Sequence, residues 1–412
     1  MRLLHFADIH IGMENYGKLD PETGLSTRLL DFLQTFDFIV DTAITEKVDA
    51  VVFAGDAYKT RDPNPTQQRG FGERIKKIAK AGIPVVLVAG NHDTPNAEGK
   101  ANTLDIYSAL EIDGVWVSRK PELLEVPTKS GILQVVTLPW LHKDEYKTIG
   151  EKLNLLYEKI KPGSPAIFLS HVEIEGASYG SEKGMAIGSD VTVPLPLLQD
   201  KRLSYVALGH IHKHQVLAKN PLIVYAGSPH RIDFGEEKED KGIILVDVIP
   251  SERSERGNPD LKKIATSPRT IWYRAPRNDS FTTSFQFVST NCRKFLSIDI
   301  TLKSTNPEPT QTILDEIKKH DIKDCIVRLT INIPGDLEGE IQMDKIKKAL
   351  SSAHYIAGIS RNAERKERLK IDGQEEVERL TPVEALQKYF EAKKISLEKR
   401  KELEKYAAQL LE

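Results

Sequence analysis

From Met1 to about Val248, short apolar runs alternate with longer segments whose apolar residues fall at helical spacing. The short runs are Leu3–Ala7, Ala50–Ala54, Pro84–Ala89, Leu133–Leu138, Ala166–Ser170, Tyr205–Leu208, Ile223–Ala226 and Gly242–Val248, each the length of a buried strand. Between the first two, Leu29, Leu30, Leu33, Phe36, Ile39, Val40 and Ala43 form a stripe at helical period. Thr66 to Ala81 reads the same way, and Gly82 suits a helix stop. Strand–helix alternation of this kind predicts an α/β layered domain and argues against a sandwich or a bundle.

The pattern then changes. Residues 250–268 are polar and turn-rich, as in a surface loop. A strand Phe295–Ile300, a helix near Gln311–Lys319, a strand Cys325–Ile333 and a helix near Asp344–Ser351 predict a small α+β module. Arg361 to Arg379 is dense in mixed charge and poor in apolar residues, which reads as a solvated linker. Thr381-Pro382-Val383-Glu384 is a capping box with proline at the first helical position. Beyond it Val383, Leu386, Tyr389 and Phe390 share one face, and a second helix capped by Ser396 lines up Leu403, Tyr406, Leu410 and Leu411. The resulting domain map is 1–280, a module at 281–360, a linker at 361–380 and a helical tail at 381–412.

Composition narrows the function classes. A net charge of −2 over 412 residues argues against a protein that coats nucleic acid through bulk positive charge, although local basic patches and bound cations still permit DNA binding. Two cysteines, Cys292 and Cys325, with no C-x-x-C pair, exclude a thiolate metal site and argue against a disulfide scaffold. The N-terminal residues carry no signal-like region and no stretch is apolar enough to span a membrane, so a soluble cytoplasmic protein is expected.

Chemistry-bearing residues fall at the ends of the predicted strands. Asp8 and His10 follow the first, Asp56 the second in Gly55-Asp56, and Asn91, His92 and Asp93 the third in Gly90-Asn91-His92-Asp93. His171 ends another strand, and Gly209-His210-Ile211-His212 follows Leu208. Open α/β sheets place their sites at the carboxyl ends of strands. In extended backbone, residues two apart face the same way, which would let Asp8 and His10, or His210 and His212, reach one ion. The glycines at 55, 90 and 209 permit sharp turns and close approach. Asp8, His10, Asp56, Asn91, His171, His210 and His212 offer N and O donors without sulfur, suited to a pair of divalent ions such as manganese, iron or zinc. Asp56 is the natural bridge, having two oxygens to share. A close ion pair supports in-line displacement at phosphorus. His92, oriented by Asp93, could protonate a departing oxygen. His5, His142, His214, His230, His320 and His354 read as ordinary core or surface residues.

Asp-x-His, Gly-Asp, Gly-Asn-His-Asp, a strand-ending His and Gly-His-x-His together resemble the signature of the calcineurin-like metallophosphoesterases. Leu4-His5-Phe6-Ala7-Asp8-Ile9-His10-Ile11-Gly12, Gly55-Asp56-Ala57-Tyr58, His171-Val172, Gly209-His210-Ile211-His212 and Tyr225-Ala226-Gly227-Ser228-Pro229 with Phe234-Gly235-Glu236 are similar to the SbcD-type exonuclease subunits and their archaeal and eukaryotic counterparts in double-strand-break repair. The nuclease part of this resemblance covers about the first 275 residues. It implies one metal on Asp8, His10, Asp56 and His212, and a second on Asp56, Asn91, His171 and His210, with His92 catalytic beside Asp93. It also implies manganese, a DNA-capping role for the α+β module, a homodimer, and docking of the tail on an SbcC-type ABC ATPase. Many relatives of this kind carry histidine three residues after the bridging aspartate; Lys59 stands there in this chain.

Lys59 and Arg61 lie close enough to the bridging ligand to contact substrate phosphates, and Arg231 follows Ser228-Pro229. Arg69 and Arg74 read as a solvated helix face, and Tyr58, Phe71, Tyr179 and Phe234 as core or rim packing. The expected activity is a metal-dependent DNA nuclease, 3′-to-5′ exonuclease on duplex ends and endonuclease on single strands. The competing readings are a small-molecule or phosphoprotein phosphodiesterase or phosphatase, which would need neither cap nor tail, and a non-catalytic scaffold, which would not keep the ligands.

Overall fold

The structure is a computed structural model that describes residues 1–97, 99–180, 191–250, 271–274, 281–335, 337–364, 390, 399–400 and 403. By contact density the chain forms two compact units: Met1–Ile298 with Ile317–Leu329 and Lys347–Ile359, and Asp299–Glu316 with Thr330–Ile346 and Ser360–Glu412. The tail helices predicted over 381–412 and the loop predicted over 250–268 fall almost wholly outside the described residues, although residue 250 still belongs to the strand Gly242–Pro250.

The first unit is built on two sheets. In one, the strands Arg2–Phe6, Ala50–Phe53, Val85–Val88 and Val115–Ser118 run parallel, and Gly242–Pro250 pairs antiparallel with Arg2–Phe6. In the other, Gly131–Leu138, Ala166–His171, Tyr205–Gly209 and Leu222–Tyr225 are parallel neighbours. Alternate side chains explain the layering. Leu3, Val52 and Val86 from the first sheet meet Val135, Ile167, Leu169 and Ala207 from the second in one buried cluster. Leu4, Phe6, Val51 and Phe53, on the opposite face, pack on Phe36, Ile39 and Val40 of the helix Thr27–Thr45 and on Phe71 and Ile75 of the helix Pro65–Lys80. Phe168, Val206 and Leu208 cover Leu153 and Tyr157 of the helix Ile149–Glu158. The order helix, sheet, sheet, helix buries three apolar interfaces, and each fully buried large side chain contributes roughly 1.5–3 kcal/mol relative to exposure.

Local chemistry sets one helix start earlier than the expected Thr66. The Asn64 side chain accepts from Gln67 N at 3.0 Å while Gln67 Oε1 accepts from Asn64 N at 3.0 Å, with Pro65 at the first helical position. The helix ends before Gly82, whose φ of +76° a side chain would disfavour.

The boundary drawn at 280 moves, because Phe281–Ser289 pairs with Gly242–Pro250 along its whole length and extends the first sheet. Further along, Phe295–Thr301, Ile326–Pro334 and Tyr355–Glu364 form a three-stranded sheet, accompanied by the helices Pro309–Lys318 and Met343–Ala349. The third strand continues to Glu364, into the stretch read as linker; as an edge strand it can carry charge on its exposed side. In the second unit, Asn332 donates to Thr301 Oγ1 at 3.2 Å and Asn362 donates to Asn332 Oδ1 at 2.9 Å, a polar ladder across neighbouring strands. No helix among the described residues is long and apolar enough to cross a membrane.

Candidate metal centre

The parallel strands of both sheets end on the same edge, and their following loops supply the donors. Register places His171 beside Gly209, so the last residue of one strand abuts the turn that carries His210. Asp8 N donates to Gly55 O at 2.9 Å and His10 N to Asp56 O at 3.1 Å, lacing the first two loops together. The spacing argument for Asp8 and His10 needs correcting, because the backbone there is not extended. Asp8 (φ 52°), His10 (φ 49°), Asp56 (φ 61°) and His210 (φ 100°) all lie in the left-handed region that non-glycine residues avoid. Strain at several donors of one cluster marks a site held by its surroundings. Two glycines allow the loops to close: a side chain at Gly90 would collide with the Asp56 carboxylate, and one at Gly209 with Ala54 O.

Three groups of carboxylates and imidazoles converge with donor atoms within 4.8 Å of one another: Asp8, His10 and His212; His10, Asp56 and His92; Asp8, Asp56 and His171. His10 Nε2 and His212 Nε2 stand 3.0 Å apart. His171 Nδ1 donates to Ala54 O at 2.7 Å, which turns its Nε2 toward Asn91 Oδ1 at 2.9 Å and Asp56 Oδ2 at 3.4 Å. His210 Nδ1 lies 3.3 Å from the same Asn91 oxygen. Asn91 therefore belongs with His171, His210 and Asp56, while Asp8 and His212 sit with His10.

The electrostatics show why this cluster favours cations. Burial raises the Asp8 carboxyl to about 6, against the pull of His171 and His212. Burial also opposes ionisation of Asp56, yet His171, His92 and His10 outweigh it and hold that carboxyl well below the usual range. At His171 burial disfavours the charged ring, but Asp56 and Asp8 lift its pKa to about 9. Burial drives His10 well below 6.5 and His210 down to about 3, so both present neutral nitrogens, the form that binds metal. Packed N and O donors, neutral imidazoles and buried carboxylates fit divalent ions, and a cation would take the place of the proton on His171.

His92 and Asp93 divide differently from the sequence expectation. Asp93 accepts from Asp56 N at 2.8 Å, Ala57 N at 3.1 Å, Gly90 N at 3.0 Å and Thr103 Oγ1 at 3.2 Å. It thus ties the Asp56 loop to the Gly90 loop. His92 is held instead by the Lys59 carbonyl, 2.6 Å from its Nδ1, and by its own N–H on Asp56 Oδ1 at 2.9 Å. Because the main chain of residue 59 holds the ring, a lysine side chain at that position leaves this contact intact.

Of the expected phosphate contacts, Arg61 joins the cluster, donating from Nε to Asn91 O at 3.0 Å, and Lys59 is half-buried beside it. Arg231 does not: its guanidinium donates to Glu239 O at 2.7 Å and meets Cys292 Sγ at 3.3 Å, so these donors fasten its own loop. Arg69 is exposed and near Glu73, and Arg74 bonds Leu33 O and Asp37. Tyr58 and Phe71 are core.

Sequence reasoning passed over one participant. Glu236 is fully buried, and its Oε1 accepts from His212 Nδ1 at 2.8 Å. Its other oxygen accepts from Ile232 N at 2.8 Å and faces the Lys241 ammonium at 3.1 Å. Burial works against this charge, but Lys241 and His212 hold the carboxyl well below its ordinary range. A carboxylate on Nδ1 fixes the tautomer that leaves Nε2 free for a metal. The signal lay in Phe234-Gly235-Glu236, but a glutamate in a turn far from any histidine motif has no ligand spacing to read.

The profile described as Calcineurin-like phosphoesterase matches residues 1–214, just over half of the chain, and ends two residues past His212. The chain belongs to the calcineurin-like phosphoesterases. As such it hydrolyses phosphoesters and uses divalent metal. Among characterised relatives, this phosphoesterase is 28% identical over 275 residues to the SbcD component of the SbcCD nuclease of Bacillus subtilis (strain 168), covering 62% of this chain and 68% of that one. It is 30% identical over 255 residues to the DNA double-strand break repair protein Mre11 of Sulfurisphaera tokodaii, covering 60% of this chain and 59% of that one. A third similarity, 24% over 385 residues to the SbcD component of the SbcCD nuclease of Staphylococcus epidermidis, spans 85% of this chain and 98% of the relative.

Proposed function

We propose that this phosphoesterase is a DNA nuclease that hydrolyses phosphodiester bonds with two divalent ions, manganese in kind. One ion would be held by Asp8, His10, Asp56 and His212, the other by Asp56, Asn91, His171 and His210. The observation that carries this reading is the convergence of loops from both sheets on Asp56, together with relatives named as nucleases and as a double-strand break repair protein. Bound there, a pair of divalent cations supplies Lewis acidity for an in-line displacement at phosphorus. The chain supplies the rest. His92, whose Nδ1 is engaged by Lys59 O, would use its other nitrogen to pass a proton to the leaving oxygen. Arg61 and Lys59 flank the Asn91 loop, where a substrate phosphate would meet positive charge.

On this reading the relatives' naming as components of a larger nuclease supports an assembly with an SbcC-type ATPase, engaged by the segment 381–412, and a homodimer. The α+β module would cap the DNA, giving 3′-to-5′ exonuclease on duplex ends and endonuclease on single strands. The decisive assay uses metal-stripped protein with manganese or magnesium on end-labelled duplex, on single-stranded DNA and on a chromogenic diester. Cleavage of DNA that Asp56→Ala abolishes is expected. Hydrolysis of the small diester with DNA left intact would overturn the nuclease reading. Full activity of Asp56→Ala would overturn the shared-ligand assignment.

A further inference from the structure

The turn that carries Glu236 has two working faces. Glu236 points inward to His212, as described above. The residues on either side of it point the other way. Phe234 packs edge-on against Phe295 with centroids 5.0 Å apart, and the Arg328 guanidinium lies 4.3 Å over its ring. Glu237 accepts a hydrogen bond from Ser297 N at 3.0 Å. Arg328 also donates to Ser297 Oγ at 3.0 Å, so one arginine clamps both the ring and the strand that Glu237 grips.

The turn itself is stiff. Asp233 caps it, accepting from Gly235 N at 2.8 Å, and Glu236 N, Glu237 N and Glu239 N each donate to the carbonyl three residues back. A displacement of Phe234 or Glu237 is therefore carried to Glu236 rather than absorbed. The loop that carries Asp8 and His10 rests on the same seat. Tyr16, on the segment after His10, meets Phe234 at 5.5 Å and Phe295 at 5.7 Å. The loop that carries Asp8 and His10 and the turn that braces His212 thus lean on one aromatic cluster, headed by the first residue of the strand Phe295–Thr301.

We propose that Arg328 and Phe234 are positioning residues for the ion at Asp8, His10 and His212: seating the turn on Phe295 and Ser297 fixes Glu236, and Glu236 fixes the His212 ring. Metal affinity at this one position is then set by strands that lie beyond the region matched by the phosphoesterase profile. The neighbouring position is braced elsewhere, by His171 Nδ1 on Ala54 O at 2.7 Å. The proposal rests on the two-ion reading of the site.

The test is titration of metal-stripped full-length protein with Mn2+, followed by calorimetry and by the electron paramagnetic resonance of free Mn2+, with thermal melting alongside. The Arg328 side chain is exposed, so Arg328→Ala should fold. It should weaken one of two binding events about 3- to 10-fold, less than the roughly 10- to 100-fold expected when a direct partner of a ligand is lost. The other event and the melting temperature should stay as in wild type. Phe234→Ala should act on the same event, and Phe234→Tyr, which keeps the ring face, should bind as wild type. Unchanged affinity in Arg328→Ala and Phe234→Ala, against two clear events in wild type, would overturn the positioning role alone. Equal weakening of both events with a lowered melting temperature would reduce the cluster to a structural one and overturn it too. Absence of two binding events in wild type would instead overturn the two-ion reading, and this proposal with it.

Discussion

Replacing Glu236 with glutamine changes one atom and no shape, yet neither orientation of the amide can satisfy its surroundings. One carboxylate oxygen takes the His212 Nδ1 proton at 2.8 Å, and the other takes the N–H of Ile232 at 2.8 Å and faces the Lys241 ammonium at 3.1 Å. A carboxylate accepts at both ends, whereas an amide accepts at only one. If the amide oxygen stays on His212, the NH2 is pressed against Ile232 N–H and Lys241, and stability falls. If it turns, the NH2 faces His212 Nδ1, the ring shifts its proton to Nε2, and the metal loses that lone pair. Breaking a buried ion pair costs about 3–5 kcal/mol when the remaining charge is stranded. Here Lys241 keeps Glu239 Oε2 at 2.8 Å and Ser228 Oγ at 2.9 Å, so roughly 1–3 kcal/mol is the expected loss of stability. In the turned orientation, affinity for the ion on His212 should instead fall about 10- to 100-fold. Calorimetric titration with Mn2+ and denaturant unfolding of the same preparation read the two effects separately. Glu239→Gln is the control, since it touches Lys241 without touching His212. It should lose a little stability and no metal affinity. A Glu236→Gln protein with wild-type metal affinity and wild-type stability would show that the acceptor-only argument is wrong.

His92→Gln should keep both ions and bind DNA roughly as before while turnover falls about 10²-fold or more, the size of a general-acid contribution; loss of metal on elemental analysis would make His92 a ligand instead. If the proposed function holds, deleting residues 375–412 should leave manganese-dependent nuclease activity and melting temperature nearly unchanged and abolish co-purification with an SbcC-type ATPase, and a drop of several degrees (roughly 2–4 °C per kcal/mol) would assign that segment to the protein's own core. Burial pushes His230 down to about 3, so in the folded protein it stays neutral where the unfolded chain protonates near 6.5. Its share of stability is then complete above pH 6.5 and shrinks as pH falls toward 3. His230→Phe, which keeps the stack on Phe32, should lower the acid slope of unfolding free energy by up to about 1.4 kcal/mol per pH unit, and parallel slopes in the two proteins would contradict this.

The layered core was legible because it is written in local pattern. The run Ala50–Phe53 and the stripe Phe36, Ile39, Val40 each state their own burial, and the structure packs them where period and polarity require. The donor residues were legible for a related reason: each sits immediately after such a run, so finding the strand finds the loop. What pattern cannot carry is a contact whose partner is remote and whose residue type is common. Glu236 meets His212 across 24 positions, Arg61 reaches Asn91 across 30, and Asp31 takes the Arg293 guanidinium across 262. Asp93 shows the limit most sharply. Its adjacency to His92 suggested a pair, but an i,i+1 neighbour on a tight turn points elsewhere. The carboxylate went to the backbone N–H groups of Asp56, Ala57 and Gly90, which no sequence motif advertises. The left-handed conformations of Asp8, His10, Asp56 and His210 were hidden for the same reason. Nothing in an aspartate's neighbours announces a positive φ; only the hydrogen bonds of the loops around it make that conformation the one that closes the site.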